Sequence, residues 1–249
     1  MLRKLAILVP LLSLGLISGV HAAAPADTIL PGIDFGSSSD PDKVSNTMRI
    51  ILLITVLSIA PAILVMMTCF TRIIVVFGFV RNALGTQQIP PNQVLIGLSL
   101  FMTFFIMGPT FSEMNQNALQ PFLAGKMTQQ EAFKSASDPL KEFMAKQTRE
   151  KDLALFMDYA KMKKPEQVND IPLTALVPAY AISELKTAFQ MGFMIFIPFL
   201  VIDMIVSSVL MSMGMMMLPP VMISLPFKIL LFILVDGWHL IVKSLLVSF

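Results

Sequence analysis

The sequence has few of the residues that most enzymes use for chemistry. Cys69 is the only cysteine, so no disulfide can form within the chain, and the histidines are His21 and His239. His21 falls in a segment that we expect to be cleaved off, which would leave only His239 for a zinc site or a Ser-His-Asp triad. Both sites need several partners. The composition therefore argues against both classes, and we expect no metal, no cofactor and no catalytic residue.

Charge is also scarce, at 14% of residues against 55% hydrophobic. The net charge of +2 comes from scattered basic residues, without the clustering that a phosphate-binding surface needs. Together with a mean hydropathy of +0.77, this composition indicates an integral membrane protein that does not bind nucleic acid.

The amino terminus has the pattern of a secretory signal peptide over residues 1–22. Arg3 and Lys4 precede the apolar run Leu5–Val20, and small residues favour cleavage after Ala22. An uncleaved first span is the alternative, although the run is short for a bilayer. Residues 23–47 are rich in Gly, Ser, Pro and Asp, which predicts a flexible extracytoplasmic tail.

Residues 48–109 predict a first helical hairpin. Its opening stretch, Met48–Val80, would be about 50 Å long as one helix, well beyond a hydrocarbon core of about 30 Å. Pro61 should kink it. Arg72 lies inside this stretch, and it should either face protein or water or snorkel to a nearby interface.

A short polar link over residues 81–92 closes the hairpin. Arg72 and Arg81 bracket this end and assign it to the cytoplasm by the positive-inside rule. Val94–Met107 is the second span, and Gly108-Pro109 is expected to end it.

Residues 110–177 are polar and predict a small helical region outside the cytoplasm. Thr128 and Glu131 have capping-box spacing, which predicts a helix start. Asp138 followed by Pro139 predicts a second helix start. The lysines of this region do not oppose the assignment, because long loops largely escape the positive-inside rule.

Residues 178–249 predict a second hairpin, whose helices turn at the methionine-rich loop 211–220. Gly214 tolerates positive φ, and Pro219 and Pro220 cannot continue a helix, so the loop should be a tight turn. Methionine is apolar and easily reshaped, so a ring of such turns could seal a hole and still yield to a passing chain. Packing filler at a helix–helix turn is the alternative.

Charges recur inside the apolar segments of this hairpin. Counted from the turn, Asp203 and Lys228 lie at depths within about 1.5 Å of each other on antiparallel helices, which predicts an ion pair. Glu184 and Lys186 stand at the polar start of the hairpin. Such charges are better tolerated where helices pack on each other than in lipid, so we expect an assembly.

Three other functions deserve comparison. Asp203 and Asp236 could form the paired carboxylates of an intramembrane protease, but the glycine that precedes the aspartate in such enzymes is missing before Asp236. A Ser183–Lys186 dyad lacks any sign of an oxyanion hole. A proton-coupled transporter using Asp203 would be supported by internal repeats, and the sequence shows none.

Several runs resemble the FliP family. The two long signatures are PAYAISELKTAFQMGF (Pro178–Phe193) and PFKILLFILVDGW (Pro226–Trp238). Shorter runs agree with them: FTRIIVVF from Phe70, RNALGT from Arg81, PPNQV from Pro90 and QTREKDLALF from Gln147. The resemblance covers about Met48 to Trp238. The signal peptide and tail look like the flagellar branch rather than the virulence-injectisome branch.

The resemblance implies a subunit of the type III export gate in the bacterial inner membrane, at the base of the flagellum. In the family, several copies (five in the usual description) form a helical, pore-bearing ring with FliQ and FliR. The gate receives unfolded substrates from FlhA, FlhB and the export ATPase complex, and much of it stands on the periplasmic side. The family's gasket falls on Met215, Met216 and Met217, beside Met213 and Gly214.

The predicted fold is therefore an all-α membrane protein, with kinked, over-long helices in two hairpin-like units and a small helical insertion between them. Arg72, Glu184, Lys186, Asp203 and Lys228 are its expected structural charges and subunit contacts.

Overall fold

The computed structural model describes residues 41–163, 165, 167–215 and 219–249. The predicted signal peptide, residues 23–40 of the predicted tail, and the gasket residues Met216 and Met217 lie outside the described residues. The chain divides into two units, Met1–Ile59 and Ala60–Phe249.

The described residues form α-helices and short helical turns, without a strand. In chain order the helices are α1 (Pro41–Met67), α2 (Phe70–Ala83), α3 (Asn92–Met114), α4 (Gln120–Leu123), α5 (Gln129–Gln147), α6 (Glu150–Tyr159), α7 (Leu173–Ser212), α8 (Pro220–Leu234) and α9 (Gly237–Val247). A π-helical turn (Asn115–Leu119) joins α3 to α4, and a 3₁₀ turn (Val168–Asp170) precedes α7.

Within the part of the chain described, three helices are long and apolar enough to cross a membrane: Ile50–Met67, Asn92–Leu123 and Leu173–Ser212. Helices α8 and α9, bent by 62° at a short break, give a fourth crossing if they form one span. The all-α membrane fold predicted from the sequence is confirmed.

The first long apolar stretch, expected to be kinked at Pro61, consists of two helices. Pro61 lies inside α1, and a break at Thr68-Cys69, which the sequence did not predict, separates α1 from α2. The hydroxyl groups of Thr68 and Thr71 donate hydrogen bonds to main-chain carbonyls at the end of α1, to Leu64 O at 2.5 Å and Val65 O at 2.7 Å. These side-chain donors satisfy carbonyls that a continuing helix would have bonded.

Helix α3 runs through Pro109, so the predicted end at Gly108-Pro109 is wrong. Helical structure continues through the π-helical turn to Leu123. The helical segment ends at Gly125, which has φ +68, and the Lys126 amide donates to Pro121 O at 3.0 Å. This left-handed glycine closure is a common way for a helix to stop.

One of the two predicted helix starts in the polar region is confirmed. The Thr128 amide donates to Glu131 Oε2 at 2.8 Å and the Glu131 amide donates to Thr128 Oγ1 at 3.4 Å, which is a capping box at the start of α5. The start predicted at Asp138-Pro139 is wrong, because Pro139 is buried inside α5.

The core of the second unit lies where α2 packs between α3, α7 and the last two helices. Buried side chains of α2 such as Ile73, Phe77 and Val80 form its centre. A second buried cluster, Met144, Ile171, Leu176 and Tyr180, joins α5 to the start of α7.

Helices α2 and α7 run in the same direction, with their starts on the side of the polar region. Phe79 packs on Gly192 and Phe189, one to two turns further along both helices from the Arg72–Glu184 contact described below. The polar link after α2 and the turn after α7 therefore lie on the same side, opposite the polar region.

Helices α8 and α9 return to the side of the polar region. Lys228 of α8 contacts Asp203 near the far end of α7. Ser248, just after α9, contacts Arg72, which also binds Glu184, so the chain has returned to the height of Glu184 along α7. Along α7, Glu184 and Asp203 are about 28 Å apart at 1.5 Å per residue, close to the thickness of a hydrocarbon core. The bent pair α8–α9 therefore runs back along α7, from the side of the methionine turn to the side of the polar region.

Candidate functional site: two buried ion pairs and the methionine turn

Arg72, near the start of α2, is the centre of a buried polar network. Its guanidinium forms a forked pair with the Glu184 carboxylate of α7, with Nε donating to Oε2 at 2.9 Å and Nη2 donating to Oε1. Nη2 also donates to Gln147 Oε1 at 3.0 Å, and Nη1 donates to Ser248 O at 2.8 Å. The Phe249 ring lies 3.9 Å from Cζ, which adds a cation–π contact.

Both members of this pair are almost completely buried, with Arg72 2% and Glu184 0% exposed. Of the two alternatives, Arg72 therefore faces protein and does not snorkel to an interface. Arg72 also lies on the side of the polar region, away from the link, so the prediction that Arg72 and Arg81 bracket the same end of the hairpin is wrong for Arg72. Since all its donors have partners, the guanidinium ties α2, α5, α7 and the end of the chain together.

Ser183, next to Glu184, anchors the start of α6. Its hydroxyl donates to Asp152 Oδ2 at 2.7 Å and accepts from the Arg149 amide at 3.1 Å. The Arg149 side chain pairs with the same carboxylate at 2.6 Å. The hydrogen bond from Ser183 lowers the pKa of Asp152, because it favours the ionised carboxylate.

The ion pair predicted between Asp203 and Lys228 is present. Lys228 Nζ lies 2.7 Å from Asp203 Oδ2 and also donates to the main-chain oxygen of Ala83 at 3.1 Å. The Ser224 hydroxyl donates to Asp203 Oδ1 at 2.5 Å. Lys228 is buried, whereas the Asp203 side chain is 29% exposed.

The contacts of Asp203 and Ser183 do not support the aspartate-pair or the serine–lysine arrangement considered above. Asp203 is occupied by Lys228 and Ser224, while Asp236 stands at the start of α9 with a left-handed φ of +50. Ser183 is bonded to Asp152, and Lys186 is exposed. Among the described residues, no group of acidic, histidine or cysteine side chains could hold a metal ion.

The methionine turn begins as predicted. Gly214 has φ +75, and the Met215 amide donates to Leu210 O at 3.1 Å, closing the end of α7 in a Schellman motif. Pro219 precedes α8 and Pro220 is its first residue, where a missing N–H costs nothing. Met213 is exposed and Met215 partly so.

Sequence reasoning missed the partners of the predicted charges. Gln147, Ser248 and Ala83 belong to segments whose approach depends on the tertiary fold, and a carbonyl acceptor leaves no trace in the sequence. The order of the helices along the chain did not predict the contact between Ser183 and Asp152. Both residues nevertheless lie inside runs that resemble the FliP family.

Fold and site together define an all-helical membrane protein whose apolar helices are joined through one buried and one partly buried ion pair. The sequence model of the FliP family matches residues 53–245. The chain belongs to the FliP family.

Its relatives include three flagellar biosynthetic proteins named FliP. The protein of Bacillus subtilis is 70% identical over 217 residues, which cover 87% of this chain and 98% of the relative. The protein of Caulobacter vibrioides is 50% identical over 92% of this chain and 85% of its own length. The protein of Aquifex aeolicus is 48% identical over 82% of this chain and 86% of its own length.

Proposed function

We propose that the chain is a structural, pore-forming subunit of the flagellar type III export gate, which conducts unfolded rod, hook and filament proteins across the inner membrane. Family membership supports the flagellar role. The length and surface of α7 support the role as a subunit within an assembly.

The observation that carries the proposal is the apolar outer surface along most of α7. This helix has 40 residues, so it is about 60 Å long, twice the thickness of a hydrocarbon core. Large apolar side chains are exposed from Ile182 to Met211, over about 44 Å, and they include Phe189, Phe193 and Met204. A hydrocarbon core of about 30 Å can cover about two thirds of this surface, so other protein helices must cover the rest.

The proposed neighbours are further copies of this chain together with FliQ and FliR, and FlhA, FlhB and the export ATPase complex supply the substrate. The complex would sit in the flagellar basal body, with much of it on the periplasmic side of the inner membrane. Each subunit would contribute structure and no catalytic residue. Arg72, Glu184, Asp203 and Lys228 would hold the subunit's own helices in place, and the exposed Lys186 remains a proposed subunit contact.

The methionine turn is the proposed seal of the closed channel. Met213, Gly214 and Met215, together with Met216 and Met217, would close the pore by apolar contact. A gate for many unfolded chains cannot depend on hydrogen bonds to one sequence, whereas thioether side chains yield without selecting. A hydrophobic constriction also blocks ions by dewetting.

The mass of the detergent-extracted complex tests the assembly. We expect a particle that contains several copies of the chain with the partner subunits, and no proteolytic or solute-transport activity in the isolated chain. A monomer that transports solute with protons on its own would favour the transporter alternative. Association with a virulence injectisome in place of a flagellum would move the chain to the other branch of the family.

A further inference from the structure

Lys186 is the exposed charge on the part of α7 near Glu184. It stands four residues after Ile182 and three before Phe189, so the three side chains share one face of the helix, and all three are exposed. This cationic stripe is apolar at both ends and charged in the middle. Lipid would not solvate the ammonium and water would not cover the apolar side chains, so the stripe suits a protein surface of mixed character.

A second cation, Lys151 in the first turn of α6, lies beside Lys186, and the Arg149 side chain is also near. Asp152 lies close to the same group, but Arg149 and Ser183 already bind its carboxylate. In the part of the chain that the structure describes, neither lysine forms a salt bridge. Neighbouring ammonium groups repel each other, and a carboxylate from another molecule would relieve this repulsion.

The chain also has a surface of the opposite charge. A cavity of about 610 Å³ opens between α3, α5 and α9, and the exposed carboxylates of Glu113 and Glu142 line it. Lys146 is the cation in its lining, while walls such as Phe105 and Leu246 are apolar. Among the residues described, neither carboxylate forms a salt bridge. This acidic cavity therefore matches the cationic stripe both in charge and in its apolar surface.

The cationic stripe and the acidic cavity lie at similar heights along the unit. Gln147 lines the cavity and accepts a hydrogen bond from Arg72, which binds Glu184. Lys186 follows Glu184 by two residues, about 3 Å along α7. The residues of the stripe and the cavity lie on different helices, so one copy can present both surfaces. Copies standing side by side, with little shift along α7, would bring stripe and cavity together.

We propose that Lys186 of one copy of this chain docks in the acidic cavity of the next copy. The aliphatic stem would pack on the apolar walls and the ammonium would bind Glu113 and Glu142, while Ile182 and Phe189 are covered by the rim. Because the contact joins two different surfaces, it repeats head to tail, as in a ring. The inference rests on the proposed function, since it requires the chain to assemble.

Cross-linking of the assembled, detergent-extracted complex with a carbodiimide tests the contact. The reagent joins a lysine directly to a carboxylate that touches it, so mass spectrometry should find Lys186 linked to Glu113 or Glu142. The linked peptides should come from the dimer band of a denaturing gel, because two copies are joined. Lys186→Met should abolish the link. Lys243→Met is the matched control at another exposed lysine and should leave the link unchanged.

Charge reversal tests whether the two charges meet directly. Lys186→Glu would bring a further carboxylate to the acidic cavity, and like charges at an interface should lower the ratio of assembled to free chain about tenfold or more. Glu142→Lys should weaken assembly in the same way. The chain that carries both changes should recover part of the loss, because the two opposite charges again face each other across neighbouring copies.

The outcomes separate the contact from the proposed function. An assembled complex in which Lys186 links to neither carboxylate, or links only within a monomer band, would overturn the contact and leave the proposed function intact. A double reversal that recovers nothing would also overturn the contact. A wild-type chain that stays monomeric in the membrane and in detergent would refute the assembly on which the proposed function depends.

Discussion

The ring of Phe79 occupies the space in which a side chain on Gly192 would lie. A Cβ on Gly192 would come within 2.3 Å of the ring, a distance that no real contact adopts. The glycine therefore lets α2 and α7 approach closely between the Arg72–Glu184 and Asp203–Lys228 ion pairs.

Gly192→Ala should lower the stability of the helix pair, because the methyl group must push Phe79 and α2 away. Overpacking of this kind typically costs about 1–3 kcal/mol. Gly78→Ala is the matched control, because nothing lies within 4 Å of the added Cβ and alanine favours a helix. The thermal unfolding midpoint of the purified protein measures both, and equal midpoints would show that the close approach is not needed.

The Arg72–Glu184 pair should be required for folding and not only for assembly. Arg72→Met or Glu184→Gln leaves a buried partner uncompensated, which typically costs about 3–5 kcal/mol. The double change Arg72→Met with Glu184→Met should recover much of this loss, because it removes both charges.

The loss of stability in the single variants, and its recovery in the double variant, are measured by the amount of protein that accumulates in membranes and by its unfolding midpoint. Arg81→Met is the control on the same helix, since the guanidinium of Arg81 bonds to neighbouring groups at the start of α3, to Asn92 Oδ1 at 2.5 Å and Pro90 O at 3.4 Å. If Arg72→Met is tolerated as well as Arg81→Met, the network does not hold the unit together.

The Ser183–Asp152 contact should stabilise α6 in a pH-dependent way. The pKa of Asp152 is lowered in the folded protein, chiefly by the Ser183 hydroxyl. The stabilisation is therefore complete above the pKa of the unfolded chain, about 3.9, and is lost as the pH falls through the lower folded pKa.

Comparing the wild type with Ser183→Ala across this range should show a stability difference at neutral pH that shrinks on acidification. In an Asp152→Asn background, the same comparison should give a difference that does not vary with pH over this range. A difference that persists unchanged at the lowest pH with Asp152 intact would mean that the carboxylate is not its source.

The sequence predicted well where a local pattern decides the structure. The capping box at Thr128, the turn at Gly214 and the depth match of Asp203 with Lys228 each depend on spacing along the chain, and each is present. Proline misled at Pro109 and Pro139, which lie inside helices and not at helix ends. Packing can compensate for one missing hydrogen bond in a long helix, and no local pattern reveals that compensation.

The Arg72 network shows the other limit of sequence reasoning. Spacing indicates that Arg72 needs a partner, but Glu184 and Ser248 reach it only through the parallel packing of α2 on α7 and the return of α9. Gly192 likewise looks like any glycine in an apolar helix until Phe79 lies against it.

Replacing the methionines of the turn should open a leak. Changing Met215, Met216 and Met217 to glycine removes the apolar bulk of the proposed seal, so the closed complex should conduct ions while export continues at least in part. Leucine at all three positions should seal nearly as well and should slow export through greater stiffness.

Conductance of the purified complex in planar bilayers is the measurement. Alanine at the exposed Met204 and Met222 of the same hairpin is the control and should not raise conductance, in contrast to alanine at the three turn positions. A triple-glycine complex that assembles and conducts no more than wild type would mean that these methionines are packing filler.

Export in a strain that lacks this chain tests the central claim most directly. The measurement is the amount of rod, hook and filament protein outside the inner membrane, with a substrate of the general secretion pathway as the internal control. We expect flagellar export to be abolished, general secretion to be intact, and both to be normal when the wild-type chain is restored. Assembly of flagella in the deletion strain would contradict the account.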